Sequence, residues 1–344
     1  MRLKIKAVNP LEYPDWNSAV ARLEGSSVFH TANWAGVLAD SYGYRPHYVC
    51  AFEDNRLAGC LPLMDIRSFL TGRRGVSLPF TDQCPLLGGD RPFAALWKHA
   101  VEHGAKAGWK HIELRGAHRA AAGEPAPAAF KVHCLDLGRS ESELLNRCRE
   151  STRRNIAKAV KNGVKVRYAR SFEALRDFYA LNCLTRRRHG LPPQPVRFFE
   201  CIHDRIMSAG LGFVMTAAQA GKTIAAAVFF HFNGTVVYKY GASDAAHQHL
   251  RPNNLILWEA INWSNENRFS RFHFGRTEAG HHGLMQFKRG WGAEEKNLRY
   301  VKFDLKTRSF SSIHPKLKSS YPVLQRMPIP LLRVAGELLY RHVG

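Results

Sequence analysis

The run Phe274-Gly-Arg-Thr-Glu-Ala-Gly-His-His-Gly-Leu-Met-Gln-Phe-Lys-Arg-Gly-Trp-Gly-Ala sets Arg276, Glu278, His281, His282 and Lys288 among five glycines. A purely structural loop does not need so many ionisable groups on such pliable backbone. Either histidine can carry a proton. Neighbouring histidines do not face one ion together, and no paired carboxylate stands at ligand spacing, so no metal site is expected. The glycines match neither the Walker loop nor the dinucleotide fingerprint.

Two other segments carry candidate chemistry. Tyr238-Lys-Tyr-Gly-Ala-Ser-Asp closes an expected central strand. Alternation places Tyr238 and Tyr240 on one face, where they either meet substrate or pack, and Asp244 stands at the strand's end. A single helix is expected over 141–162, opened by a capping box from Ser140 to Glu143 and ended by Asn162-Gly163. On its wheel Arg147, Arg154, Lys158 and Lys161 fall within about 60° of one another. Such a stripe repels itself, and an anionic ligand relieves it; a solvated face is the alternative.

The elements around these segments read as mixed α+β. Strands are expected over 3–8, 111–115 and 130–137, helices near 14–24, 32–41 and 92–107, and a hairpin around Glu53-Asp-Asn-Arg. The stretch Ala117–Ala129, rich in Ala, Gly and Pro, reads as a loop. In the second half a strand over 164–168 precedes helices near 172–188 and 195–209, separated by Leu191-Pro-Pro-Gln-Pro. A hairpin over 213–232, a strand over 236–240, a helix near 253–267 and a strand at Phe272 follow. Hairpin, helix and strand thus recur about 160 residues apart, a topological repeat. The expected domains are 1–139, 140–310 and a basic amphipathic tail, 311–344, whose helix begins near Leu331. The tail either packs on its own domain or lies on an anionic membrane.

Charge narrows the partners. Fifty Lys and Arg against 28 Asp and Glu give a net charge of +22, which favours nucleic acid, a phosphorylated substrate or an anionic membrane surface. Seven scattered cysteines with no CxxC spacing exclude a zinc framework and suit a reducing compartment. The amino-terminal MRLKIKAVNP lacks the apolar core of a signal peptide. The longest apolar stretch, Ile224–Phe232, is too short to span a bilayer. A cytoplasmic protein, soluble or peripheral at the inner membrane face, is expected.

Several segments together resemble the FemAB-like branch of the GNAT acyltransferase superfamily, with its BioF2-like acetyltransferase domain. They are Phe29-His-Thr-Ala-Asn-Trp with Tyr42-Gly-Tyr, Arg153-Arg-Asn-Ile-Ala-Lys-Ala-Val-Lys-Asn-Gly-Val, Tyr240-Gly-Ala-Ser-Asp, Pro252 through Trp258, and Phe274-Gly-Arg with Phe287-Lys-Arg-Gly-Trp-Gly. The resemblance implies tandem GNAT-like domains, each a mostly antiparallel central sheet flanked by helices. It implies transfer of an acyl or aminoacyl group to an amine. By it Lys288 lies at the acyl-transfer centre, Arg276, Tyr238 and Tyr240 line the acceptor cleft, and Arg154 and Lys158 match the family's basic helix. The chain shows no Gln/Arg-x-x-Gly-x-Gly/Ala pyrophosphate loop and no long helical hairpin insertion.

Three functions follow from these readings. The first is an N-acyltransferase using acyl-CoA or another acyl thioester on an anionic cell-envelope or exopolysaccharide precursor. The second is an aminoacyl-tRNA-dependent transferase of peptidoglycan bridge formation. The third is a non-catalytic module binding RNA or anionic glycolipid. No DNA partner and no metal are expected. Catalysis would use Lys288 and Arg276 as cations toward the oxyanion, with Glu278, His281 or a substrate phosphate taking the amine proton.

Overall fold

The computed structural model describes residues 3–116, 128–313 and 321–344. The chain forms two compact units. The first takes Met1–Phe130, Asn297–Pro315 and Leu338–Gly344, and the second takes Lys131–Lys296 and Lys316–Glu337. The class is mixed α+β, with mainly antiparallel sheets and helices packed on them.

In the first unit, Tyr48–Glu53 and Arg56–Leu61 form the expected hairpin, turning at Asp54 and Asn55, both at positive φ. Lys4–Val8 adds a third strand. A second hairpin follows, Met64–Ser68 with Gly72–Val76. Its Gly72-Arg-Arg-Gly half carries no apolar alternation, so nothing in the sequence announced it. The helix Asp90–Lys106 then leads to His111–Arg115, which pairs parallel with Gly72–Val76. Leu96 and Ala100 of that helix pack against Trp109, Ile112 and Val301.

The second unit is built on seven strands in the order Glu294–Leu298, Phe130–Asp136, Arg271–Glu278, Thr235–Ser243, Lys222–Phe232, Gly212–Gln219 and Lys165–Ala169. The helix Pro252–Glu266 is buried along Leu255, Ile256, Ala260 and Ile261, and it joins one core with Phe229, Phe272 and Trp291. The helix Phe172–Arg188 packs on the strands Lys222–Phe232 and Thr235–Ser243. The helix–strand order of the first unit therefore recurs, and again the strand before the helix pairs parallel with the strand after it.

Three expectations change. Phe130–Asp136, expected as the last strand of the first half, lies inside the second unit's sheet. Tyr300–Asp304 and Ser309–Ser312 pair beside His111–Arg115 in the first unit, although 140–310 was expected as one domain. A strand's place follows the edge it bonds to, not its neighbours in sequence. The expected helix over 141–162 is two helices, Glu141–Arg147 and Glu150–Lys161. Cys148 between them is extended, and the Arg149 amide donates to the Gly290 carbonyl at 2.8 Å. The expected loop over 117–129 falls mostly outside the described residues, as do Lys316 and Lys318 of the tail. The tail helix, Ile329–Val343, buries Leu332 but exposes Leu331, Val334 and Leu338. Among the described residues no helix is long and apolar enough to cross a membrane.

Candidate active site

The parallel strands Thr235–Ser243 and Arg271–Glu278 are paired only from Thr235 to Val237 and from Arg271 to His273. Both run on beyond the pairing. Near the point of divergence, Phe229 opposes Tyr238 and Val228 opposes Tyr240, so Lys239 is an unmatched bulge residue. The bulge overturns the shared face expected of the two tyrosines. Tyr238 lies 5.6 Å from the ring of Phe229 and closes over Gly241, where a Cβ would collide with its hydroxyl. Burial pushes its phenol up to about 12, so it is neutral at physiological pH. Tyr240 lies instead among Phe178, Phe198 and Phe199.

The glycine-rich run is a strand end and a helix, not a loop. The strand continues to Glu278, and His282–Arg289 is helical. Lys288 faces inward from this helix and is 2% exposed. Its Nζ donates to the carbonyls of Gly275 at 2.9 Å and Arg276 at 3.3 Å. A buried ammonium needs such acceptors, and here they tie the helix to the strand. His281 caps the helix by accepting the Leu284 amide on Nδ1 at 3.2 Å. That uses the basic nitrogen of the neutral ring, so His281 is a helix cap rather than a free base. Glu278 is exposed and Arg276 half-buried. Gly290 and Gly292 serve close packing: a Cβ on Gly290 would lie 2.7 Å from Thr152 Oγ1, and one on Gly292 2.7 Å from the Arg147 carbonyl.

The remaining expected residues disperse. Asp244 caps the 3₁₀ turn Ala245–Leu250, accepting from the Ala246 amide at 3.0 Å and pairing with His247 and Lys222. Those hydrogen bonds, the Ala246 amide foremost, hold its carboxyl below the usual range. Arg154 is exposed and pairs with Glu150 at 3.0 Å, and Lys158 is exposed further along the same helix. The stripe loses Arg147, which now belongs to the preceding short helix.

The structure brings other residues together. A cleft of about 240 Å³ is lined by Arg149, Thr152, Asn155, Asn254, Gln286 and Phe287, with Ser151, Gly283 and Gly290 completing it. Ser151 and Thr152 stand in the first turn of Glu150–Lys161, and Asn254 in the first turn of Pro252–Glu266. Among the described residues, neither helix has an N-cap side chain bonded to its first amides. Two positive helix ends and the exposed Arg149 thus meet at one cleft, a setting suited to phosphate. None of the ionisable and aromatic candidates named from the sequence lines it. The signal lay in the family segments: Asn155 stands in Arg153–Val164, and Asn254 in Pro252–Trp258. Among the described residues no group of three His, Cys, Asp or Glu is placed to hold a metal.

Residues 146–289 match the model of the acetyltransferase (GNAT) domain. No curated protein matches the sequence. Among solved structures, FemX superposes with a TM-score of 0.67 at 14% identity, covering 86% of this chain and 95% of FemX. A tandem GNAT protein from the clavulanic acid biosynthesis pathway gives 0.54 at 13% identity, covering 88% of this chain and 99% of its own. L-PGS from Bacillus licheniformis gives 0.53 at 12% identity, covering 93% and 95%. At these identities the likeness is one of fold.

Proposed function

Because this chain carries a GNAT acetyltransferase domain and is an acyltransferase, we propose that it acylates an amine of a cell-envelope or exopolysaccharide precursor. The reaction takes place at the cytoplasmic face of the membrane, with a phosphate-bearing reactant held in the cleft. The observation that carries this reading is the cleft itself, where Arg149 and two uncapped helix ends converge. The names of FemX and of lysylphosphatidylglycerol synthetase, whose C-terminal domain from Agrobacterium fabrum has the same fold, fit an envelope acceptor.

The amine nitrogen attacks the carbonyl carbon of a thioester or ester. The C–N bond forms, the bond to sulfur or oxygen breaks, and the amine proton ends on the leaving group. Holding both reactants in line contributes about 7–11 kcal/mol. Arg276, at the end of the diverging strand, is the cation for the developing oxyanion, where one such donor contributes about 3–4 kcal/mol. Lys288 acts through it: by fixing the Gly275 and Arg276 carbonyls it sets where Arg276 begins. With His281 engaged as a cap, Glu278 or a substrate phosphate takes the proton.

Aminoacyl-tRNA is the second reading for the donor. It is favoured by the exposed Arg154, Lys158 and Lys161, which continue along the helix that begins at the cleft and give a polyanion a track. The test is filter binding of bulk aminoacyl-tRNA at two salt concentrations beside thermal shift with acyl-CoA. A CoA-dependent rise with weak tRNA binding establishes the thioester. Tight, salt-sensitive tRNA binding without that rise establishes the aminoacyl donor. Binding of neither overturns the phosphate role of the cleft.

A further inference from the structure

We infer that the first unit docks on an anionic lipid bilayer through the tip of its second hairpin and the last turns of the tail helix. This inference concerns where the chain sits and stands apart from the identity of donor and acceptor. Phe69 and Leu70 occupy the turn between Met64–Ser68 and Gly72–Val76 and are 85% and 60% exposed. Leu338 and Val343 of the helix are each 65% exposed, and Leu339 is 44% exposed. The ring of Phe69 lies 4.5 Å from that of His342, so turn and helix end form one apolar surface. Water-exposed apolar groups so placed serve association, not folding.

Beneath the surface, polar groups hold the two elements together. Ser68 Oγ accepts the amides of Leu70 and Thr71 and meets His342 Nδ1 at 3.0 Å. Thr71 Oγ1 donates to the His342 carbonyl at 3.1 Å. Arg74, 5% exposed, donates to the carbonyls of His342 and Gly344 and to Thr71 Oγ1. A buried guanidinium and a buried imidazole are thus spent on presenting five apolar side chains to solvent.

Charge selects the occupant. Arg67, Arg73 and Arg341 border the surface, and the acid bound to the first two, Asp65, is buried and also accepts from Trp109 Nε1 at 2.7 Å. An excess of cations around an apolar tip matches anionic headgroups over acyl chains. A second copy of the same surface would bring like charges together.

The test is sedimentation of the full chain with vesicles containing phosphatidylglycerol and with pure phosphatidylcholine vesicles, at low and high salt. Binding to the anionic vesicles, weakened by salt and slight on phosphatidylcholine, is expected. Phe69→Ser with Leu70→Ser, and separately Leu338→Ser with Val343→Ser, each lower partitioning by about tenfold or more. Neither pair shifts the melting temperature, and neither changes acyl transfer to a soluble acceptor. Three results overturn the inference. They are no binding to either vesicle, full binding by both double variants, or a lipid-free dimer that the substitutions convert to monomer.

Discussion

Each unit contains a parallel strand pair joined through a helix, and the two pairs end differently. In the first unit Gly75 and Val76 pair with Ile112 and Glu113, and the closure then continues. The Ser77 amide donates to the Glu113 carbonyl, the Arg115 amide to Ser77 Oγ, and the Cys84 amide to the Arg115 carbonyl. Arg115 turns inward, bonds Glu113 at 2.8 Å and lies 5.7 Å from the Tyr300 ring. A pocket of about 10 Å³ lies there, lined by Cys84, Trp97, Leu114 and their neighbours, room for about one water. In the second unit pairing stops after Val237 and His273, and a cleft of about 240 Å³ lies beside the helix that follows. Arg115 fills the closed end of the first pair, whereas in the second unit the exposed Arg149 lines a cleft formed by the helices Glu150–Lys161, Pro252–Glu266 and His282–Arg289.

The largest test breaks the closed junction. Arg115→Ala leaves the Glu113 carboxylate buried without its partner. Burial pushes that carboxyl up, but Arg115, with His111 and Arg74, more than offsets it. A loss of about 3–5 kcal/mol is expected, read by denaturant melts and by faster amide exchange in the strand His111–Arg115. A loss near zero would remove the contrast. Acid sharpens it next. Burial holds His30, His47 and His111 of the first unit at about 4, against His231 alone at that value among the described residues of the second. These rings fold neutral, so stability is complete above about 6.5 and falls as pH drops through 6.5 toward 4. For His30 the loss approaches about 3 kcal/mol. The second unit's Glu295 moves in a lower window. The Arg289 hydrogen bond, helped by His133 and Lys131, holds its carboxyl down to about 2. Its contribution is present above about 4.5 and is lost only as pH falls toward 2. Amide exchange between pH 6.5 and 4 should therefore show the first unit loosening first.

Lys288→Met probes the open junction. Two carbonyls lose their donor, and about 2–3 kcal/mol of stability goes with them. Binding in the cleft weakens far less, because Lys288 does not line it. A variant with wild-type melting and no activity would return Lys288 to direct catalysis. Arg149→Ala does the reverse: melting is unchanged, and affinity for the phosphate-bearing reactant falls about ten- to a hundredfold. Arg154→Ala is the control. Its pair with Glu150 is exposed, so stability shifts by no more than about 0.5 kcal/mol.

Much of the second unit is legible in the sequence. The capping box at Ser140 and Glu143, the helix end at Asn162-Gly163, and the hairpin expected over 213–232 all appear where the pattern placed them. Each depends on residues within a few positions of one another. The candidate site was far less legible. Lys288, His281 and Asp244, ionisable residues near glycines, have their polar atoms engaged by nearby amides and carbonyls. Gly290 and Gly292 read as pliable backbone around ionisable groups, yet they let the chain pass close to Thr152 and Arg147. The cleft's own polar residues, Asn155 and Asn254, carry no charge to attract notice.

The sequence alone determined the alternation of strands and helices, the topological repeat and the excess of cations, because periodicity, caps and turns act over short range. Tertiary structure decided which cations are spent and which are free. Lys288 is buried against the Gly275 and Arg276 carbonyls, and Arg115, paired with Glu113, is brought beside the Tyr300 ring, while Arg149 is left at a cleft. It also parted Tyr238 from Tyr240 through one unmatched residue and broke the helix at Cys148 through one amide bonded to Gly290. These outcomes depend on contacts between residues far apart in sequence. No local pattern encodes which partner will fill a hydrogen bond or a cavity.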